Sequence, residues 1–201
     1  NGARVLEIGP GLLPFKRADV YVDFDPKEKD LFGEPLKGEM VKCDIASEPL
    51  PFADKSFDFI YCRHVLEDMF DPFPLCKEME RVGKAGYIET PSPTAEMCRG
   101  IDYDSPPFRG YHHHRWVIWK NGDELTFVTK YPMVEWLKLD EGKIVEAMRS
   151  GSDAWNTCFE CTCSIKTRHM QNPLDYFMPT EYIDVIMRAM ETCGVRFSEA
   201  A

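Results

Sequence analysis

Apolar residues come in short runs separated by polar segments rich in Gly and Pro, and their period changes along the chain. Val5-Leu6-Glu7-Ile8 runs into Gly9-Pro10-Gly11. Two glycines one residue apart at the end of an apolar run predict a buried strand, about residues 4 to 8, that turns sharply where backbone can approach a ligand. Ala18 to Asp23, β-branched and aromatic, predicts a second strand. About a dozen residues separate Gly11 from Asp23, so any helix between them is short or distorted. Val41 to Ile45 predicts a third strand. Ser56 to Cys62 predicts a fourth, apolar nearly throughout, as expected in the middle of a covered parallel sheet. Pro72 to Val82 carries Leu75, Met79 and Val82 at helical spacing and leads to a fifth strand, Gly86 to Thr90. This alternation predicts a doubly wound, mostly parallel α/β sheet.

Beyond residue 90 the pattern changes. Thr90-Pro91-Ser92-Pro93 opens a long segment through Tyr103, Asp104, Arg109 and Tyr111 to His112-His113-His114-Arg115. Trp116 to Trp119, the Asn121-Gly122 turn signal and Glu124 to Val128 predict an inserted β-hairpin after strand five. Pro132 to Met148 reads as helical, and Trp155 to Ile165 as a long strand that closes the sheet. Thr180 to Cys193 is an amphipathic helix with Ile183, Ile186, Met187 and Met190 on one side. No repeat or linker divides the chain, so one domain is expected. Its core motifs occupy 1–91, a substrate-side loop and hairpin about 92–130, and a terminal strand and helix about 154–195.

Composition narrows the function. With 24 basic against 34 acidic residues the net charge is -10, which repels a phosphate backbone, so nucleic acid is a disfavoured partner. No apolar run is long enough to span a bilayer. Eight cysteines among 201 residues are too dilute for a disulfide scaffold, and several sit in apolar segments that suit buried thiols, so a reducing, cytoplasmic setting is expected. The first residue is Asn rather than Met, which reads as a trimmed chain.

Glu7 to Gly11, Val22 to Pro26, Cys43 to Ile45 and Arg63 to Asp68 follow one another at the predicted strand ends, and on them the first 90 residues resemble a class I S-adenosylmethionine-dependent methyltransferase, with its Rossmann-like fold. Glu7-Ile8-Gly9-Pro10-Gly11 is similar to the family's first motif, an acid followed by Gly-x-Gly, and Val22-Asp23-Phe24-Asp25-Pro26 to the acidic end of its second strand. Cys43-Asp44-Ile45, Leu50-Pro51-Phe52 and Ser56-Phe57-Asp58 resemble the adenine segment and its lead into strand four, and Arg63 to Asp68 the segment after it. Dinucleotide-binding folds share the glycine turn, but their fingerprint needs a third Gly where this chain has Pro14. The helix after the first motif is abbreviated by Pro14, and Asp68 stands where many relatives have His, so no acid/base role is carried to it.

The resemblance implies S-adenosyl-L-methionine as cofactor. It places Gly9, Pro10 and Gly11 against the methionine part, with Glu7 orienting the turn, Asp23 accepting both ribose hydroxyls and Asp44 taking the adenine amino group. Phe24 and Ile45 flank the ring, and Arg63 either contacts cofactor or is a solvated charge. His64, at the edge of the implied crevice, is the candidate base for removing an acceptor proton. Ser92 to Arg115 is expected to form the acceptor-side wall and a mobile lid, with Tyr111, His112 and Arg115 contacting a small-molecule acceptor. The resemblance therefore implies methyl transfer to a small or medium-sized acceptor at oxygen or nitrogen; the competing expectation is a cofactor-binding module without turnover. No metal is expected. Cys161 and Cys163 share a strand face while Cys158 points away, and no second close pair of cysteines completes a zinc set. The oligomeric state is left open.

Overall fold

A computed structural model describes residues 2–102, 107–151, 154–162, 164–170 and 179–197. They gather into two compact units. One holds the residues up to Glu89 together with Cys158–Ile165, the other Thr90–Thr157 and the residues from Lys166 on.

The first unit is organised by a six-stranded sheet in the order β3-β2-β1-β4-β5-β8. Its strands are β1 (Val5–Ile8), β2 (Val20–Asp23), β3 (Glu39–Lys42), β4 (Phe59–Arg63), β5 (Ala85–Pro91) and β8 (Asn156–Thr162). The pairs β1·β2, β2·β3, β1·β4 and β4·β5 are all parallel. The strand order reverses between β1 and β4, which opens a crevice at their carboxyl ends. β1 is buried at every position, as its apolar run predicts. β4 alternates between buried and half-buried residues instead of being covered on both faces. On its open side Tyr61 stacks on its register partner Tyr87 at 5.3 Å and on Phe15 at 4.7 Å between ring centroids.

Among the described residues of this unit only the β4–β5 crossover is helical: α1 (Phe73–Val82) buries Leu75, Cys76, Met79 and Val82. The winding is therefore less regular than expected of a doubly wound sheet. Pro10, Gly11 and Pro14 interrupt the first connection, Pro26, Gly33 and Pro35 the second, and Pro49 and Pro51 the third; each removes a helical hydrogen bond or raises the entropy lost on forming a helix. The third strand also lies earlier than the expected Val41 to Ile45, because Asp44 bonds into a turn that Ser47 completes.

The second unit contains α2 (Pro93–Met97), the antiparallel pair β6 (Trp116–Asn121) and β7 (Glu124–Thr129), and a 3-10 turn at Pro132–Trp136. Next in chain order come α3 (Glu141–Ser150), β9 (Lys166–His169) and α4 (Pro179–Glu191). β9 pairs parallel with β7, so a separate three-stranded sheet forms in the order β6-β7-β9. Met97, Val117, Val128, Ile144, Tyr182 and Ile186 meet in its core. The helix expected over Pro132 to Met148 is two pieces, because Asp140 accepts the Lys143 N–H at 3.1 Å and starts α3 afresh. On α4 the buried stripe is Tyr182, Ile186, Ala189 and Met190, with Ile183 and Met187 at its half-buried flank.

Ser92 to Arg115 is not the continuous loop that its punctuation predicts, because α2 lies within it. The stretch from Pro93 to Cys98 is wholly buried, Ser92 caps the helix by accepting the Ala95 N–H at 3.0 Å, and Arg109 is only 2% exposed. Much of this segment is core; Tyr103 to Pro106 lie outside the described residues. Cys43, Cys62, Cys76 and Cys98 are buried free thiols, and Cys163 lies outside the described residues.

Candidate active site

Parallel register brings the first unit's motif residues to one edge. Ile8 pairs with Val22 and Cys62, so the next residues along the three chains, Gly9, Asp23 and Arg63, leave the sheet at one level. Arg63 lies opposite Glu89 and Asp23 opposite Lys42. Cys43 donates its N–H to the Asp23 carbonyl at 2.9 Å, which puts Asp44 one residue beyond. Residues distant in sequence thus converge because strand ends converge.

The glycine turn is fixed by its neighbours. Gly9 and Gly11 both have left-handed backbone, φ +63° and +54°. A Cβ on Gly9 would lie 2.5 Å from Val65 Cγ2, whereas around Gly11 nothing lies within 4 Å. The first glycine is therefore required by packing, and the second leaves open space where backbone can approach a ligand. Pro10 between them is buried. Glu7, 2% exposed, accepts the Phe15 N–H at 2.7 Å, and Arg63 donates to the Leu13 carbonyl at 2.9 Å, so strands β1 and β4 both hold the loop after the turn. Burial pushes the Glu7 carboxyl up to about 7, against the opposing effects of the Phe15 bond and of Arg63.

Asp23 accepts the Asp25 N–H at 2.9 Å; Asp44 accepts from the Ala46 N–H at 3.2 Å and the Ser47 hydroxyl at 2.6 Å. Both carboxylates thus also serve as turn acids. Phe24 is exposed, with the Lys42 ammonium 5.5 Å from its ring centroid. Ile45 is half-buried and lines a cavity of about 390 Å³ with Pro74, Lys77 and Glu78.

His64 has φ +53°, which is uncommon for a residue with a side chain. Its Nδ1 is 3.2 Å from Glu67 Oε1 and its Nε2 is 3.3 Å from Glu89 Oε1. Its own N–H donates to the Glu89 carbonyl at 2.8 Å, which holds the strained backbone in place. The side chain is 42% exposed while that of Glu67 is 1% exposed, so the imidazole sits at the surface on a buried carboxylate. The Tyr87 hydroxyl donates to Glu89 and lies 3.1 Å from Cys158 Sγ; burial first, then these two bonds, raise its pKa. The sequence reading did not name Glu67, Glu89 or Tyr87 as partners of His64. An acid ending the fifth strand, in register with Arg63, was the signal available.

Tyr111, His112 and Arg115 lie in the second unit. The Tyr111 ring packs at 4.6 Å from His114, and the Tyr111 and Arg109 carbonyls accept the Lys130 ammonium at 2.8 and 3.0 Å. Lys130 and His114 Nδ1 both meet buried Glu96 at 2.5 Å. His112 lines a cavity of about 540 Å³ whose walls include Phe108, His114, Tyr131 and Trp136. Arg115 is exposed, and its carbonyl accepts the Lys130 N–H at 2.8 Å.

Residues 10–88 match the family described as Methyltransferase domain. This segment is similar to the class I S-adenosylmethionine-dependent methyltransferases. Similar solved structures include YcgJ from Bacillus subtilis, 25% identical over 45% of this chain and 44% of that one, TM-score 0.36. A methyltransferase from Thermotoga maritima, described as a possible histamine N-methyltransferase, is 22% identical over 47% of each chain, TM-score 0.37. An S-adenosylmethionine-dependent methyltransferase from Mesorhizobium loti is 14% identical over 94% of this chain and 74% of that one, TM-score 0.40. The likeness spans less than half the length of the first two. No curated protein matches the chain.

The family's methyl donor is S-adenosylmethionine. The residues present fit it: Gly11 offers backbone open to approach, and Asp23 and Asp44 stand at successive strand ends.

Proposed function

We propose that this protein transfers a methyl group from S-adenosylmethionine to an oxygen or nitrogen of a small or medium-sized acceptor. When bound, the cofactor supplies a methyl on a sulfonium with a good leaving group, which leaves the protein to align the acceptor and remove its proton. In this reading Gly9, Pro10 and Gly11 receive the methionine part, Asp23 the ribose, and Asp44 with Phe24 and Ile45 the adenine. Arg63 and Glu7 hold the turn rather than the reaction.

His64 takes the acceptor proton. A neutral imidazole donates from one ring nitrogen only, so one of Glu67 and Glu89 faces the ring's lone pair, and the proton that His64 takes up there gives that carboxylate a donor. Glu67, fixed in the interior, orients the ring. Tyr111, His112 and Arg115 are the acceptor-recognising residues in this proposal, and the support for His112 is its place in the wall of the 540 Å³ cavity.

The observation that carries the reading is the level placement of Gly9, Asp23 and Arg63 at the carboxyl edge of three paired strands. Calorimetry with S-adenosylmethionine tests the cofactor half: Asp23→Ala should weaken binding by about 1.5 to 3 kcal/mol, the range for hydrogen bonds to a charged group. Unchanged affinity in a folded variant removes Asp23 from the ribose site. Incubation with methyl-labelled cofactor and a metabolite extract tests the transfer, and binding without label transfer favours a cofactor-binding module.

A further inference from the structure

The sequence expectation of no metal came from weighing Cys158, Cys161 and Cys163 with the three histidines; with Asp102 the second unit holds a different donor set. One ligand atom from each of Asp102, His112 and His113 lies within 4.8 Å of the others. We infer that Asp102, His112 and His113 form a binding site for a divalent first-row transition ion of the zinc type.

Three features carry this assignment. First, the ligand atoms already converge: all three lie within 4.8 Å of one another, and His112 Nδ1 and Asp102 Oδ2, 2.8 Å apart, need to separate only to about 3.4 Å to sit on tetrahedral bonds of about 2.1 Å. Second, the carboxylate is held in advance. The Asp102 side chain is 11% exposed, and its Oδ2 also faces the His112 N–H at 3.4 Å. Third, the neighbouring rings are arranged differently from one another. His112 and His113 are edge to face at 5.3 Å and 79°, both exposed, whereas the His114 side chain is buried and bonded to Glu96. Two of three consecutive histidines thus face solvent beside a carboxylate, and the third is tied into the core.

Two imidazoles and one carboxylate select zinc, cobalt or nickel over magnesium and calcium, which require mostly oxygen ligands. On binding, the ion replaces any proton on His112 Nδ1, and the neutral ring keeps its proton on Nε2, so no net oxidation or co-reactant is needed. Three protein ligands leave further positions for water or an anionic group of a small molecule. Of the three ligands, His112 also lines the 540 Å³ cavity. The competing account is an ion pair between Asp102 and His112 that only braces the loop.

Titration of the chelator-treated full chain with cobalt(II), followed by absorbance and calorimetry, separates the two. One equivalent should bind with a visible ligand-field spectrum and without a thiolate charge-transfer band, which sets the cysteines aside. Asp102→Asn and His113→Ala should each weaken binding at least tenfold, whereas Cys158→Ser should leave it unchanged. His113→Ala decides between the accounts, since it spares the Asp102–His112 pair. Absence of binding, or affinity indifferent to His113→Ala, overturns the site. The readout is metal binding, so it stands or falls independently of methyl transfer.

Discussion

The buried carboxylate of Glu7 holds the Phe15 N–H at 2.7 Å and is raised to about 7 by the burial that places it there. In the unfolded chain the same group ionises near 4.5. Between these values the folded chain binds more protons than the unfolded one, so stability falls as pH rises from about 4.5 to about 7 and levels off above. At 1.36 kcal/mol per unit the effect reaches about 3 kcal/mol at most. Glu7→Gln keeps an acceptor for Phe15 and removes the ionisation. Urea unfolding between pH 5 and 8 should show the slope in the parent and a flatter profile in the variant; equal slopes rule out Glu7 as its source.

The two glycines of the turn should respond differently. Gly9→Ala meets both the left-handed backbone, about 1 to 2 kcal/mol, and the Val65 side chain, and is expected to lower stability by about 2 to 4 kcal/mol. Gly11→Ala meets only the first. It should fold with a loss of about 1 to 2 kcal/mol yet lose S-adenosylmethionine affinity severalfold, because its added methyl fills space reserved for the ligand. Denaturant melts paired with calorimetry decide; intact affinity in Gly11→Ala moves the cofactor away from this turn.

His64 offers a test in which strain and chemistry separate. Glycine takes φ +53° without a Cβ, so His64→Gly should fold at least as stably as His64→Ala. Both should lower methyl transfer by about 10² to 10⁴ if the imidazole removes a proton in the rate-limiting step. Wild-type turnover in either variant, on an acceptor found by label transfer, assigns the proton to another group.

In the second unit, Glu96 is the buried partner of Lys130 and His114. Glu96→Gln leaves the Lys130 charge without its counter-ion and should destabilise the chain by about 3 to 5 kcal/mol. Glu96→Gln combined with Lys130→Met should recover part of this loss. Strict additivity in the double-mutant cycle argues that the two do not interact.

Much of the first unit was legible because its signals are local. The run ending at Gly9-Pro10-Gly11, the acid at Asp23 and the spacing of Leu75, Met79 and Val82 each follow from period and turn chemistry within a few residues. Parallel pairing then turned strand ends into a shared edge, as the resemblance implied. What period alone misjudged was coverage. β4 is apolar in sequence, yet Tyr61 and Phe59 are only half-buried, because a strand carries no record of what packs on its second face.

The second unit shows the other side. Ser92 to Arg115 reads as a polar, proline-punctuated loop, yet Glu96 and Arg109 are among its most buried residues. Their charges are tolerated inside because Lys130 and Glu141, distant in sequence, arrive with the opposite sign, and His114 Nδ1 meets the Glu96 carboxylate at 2.5 Å. The amino-acid order determined the strands, the turns and the residue types at each strand end. Which side chains face one another was decided by tertiary packing: Glu67 and Glu89 about His64, Asp102 with His112 and His113, and Glu96 at the centre of a charge network. Those contacts join positions whose separation along the chain carries no periodic signal.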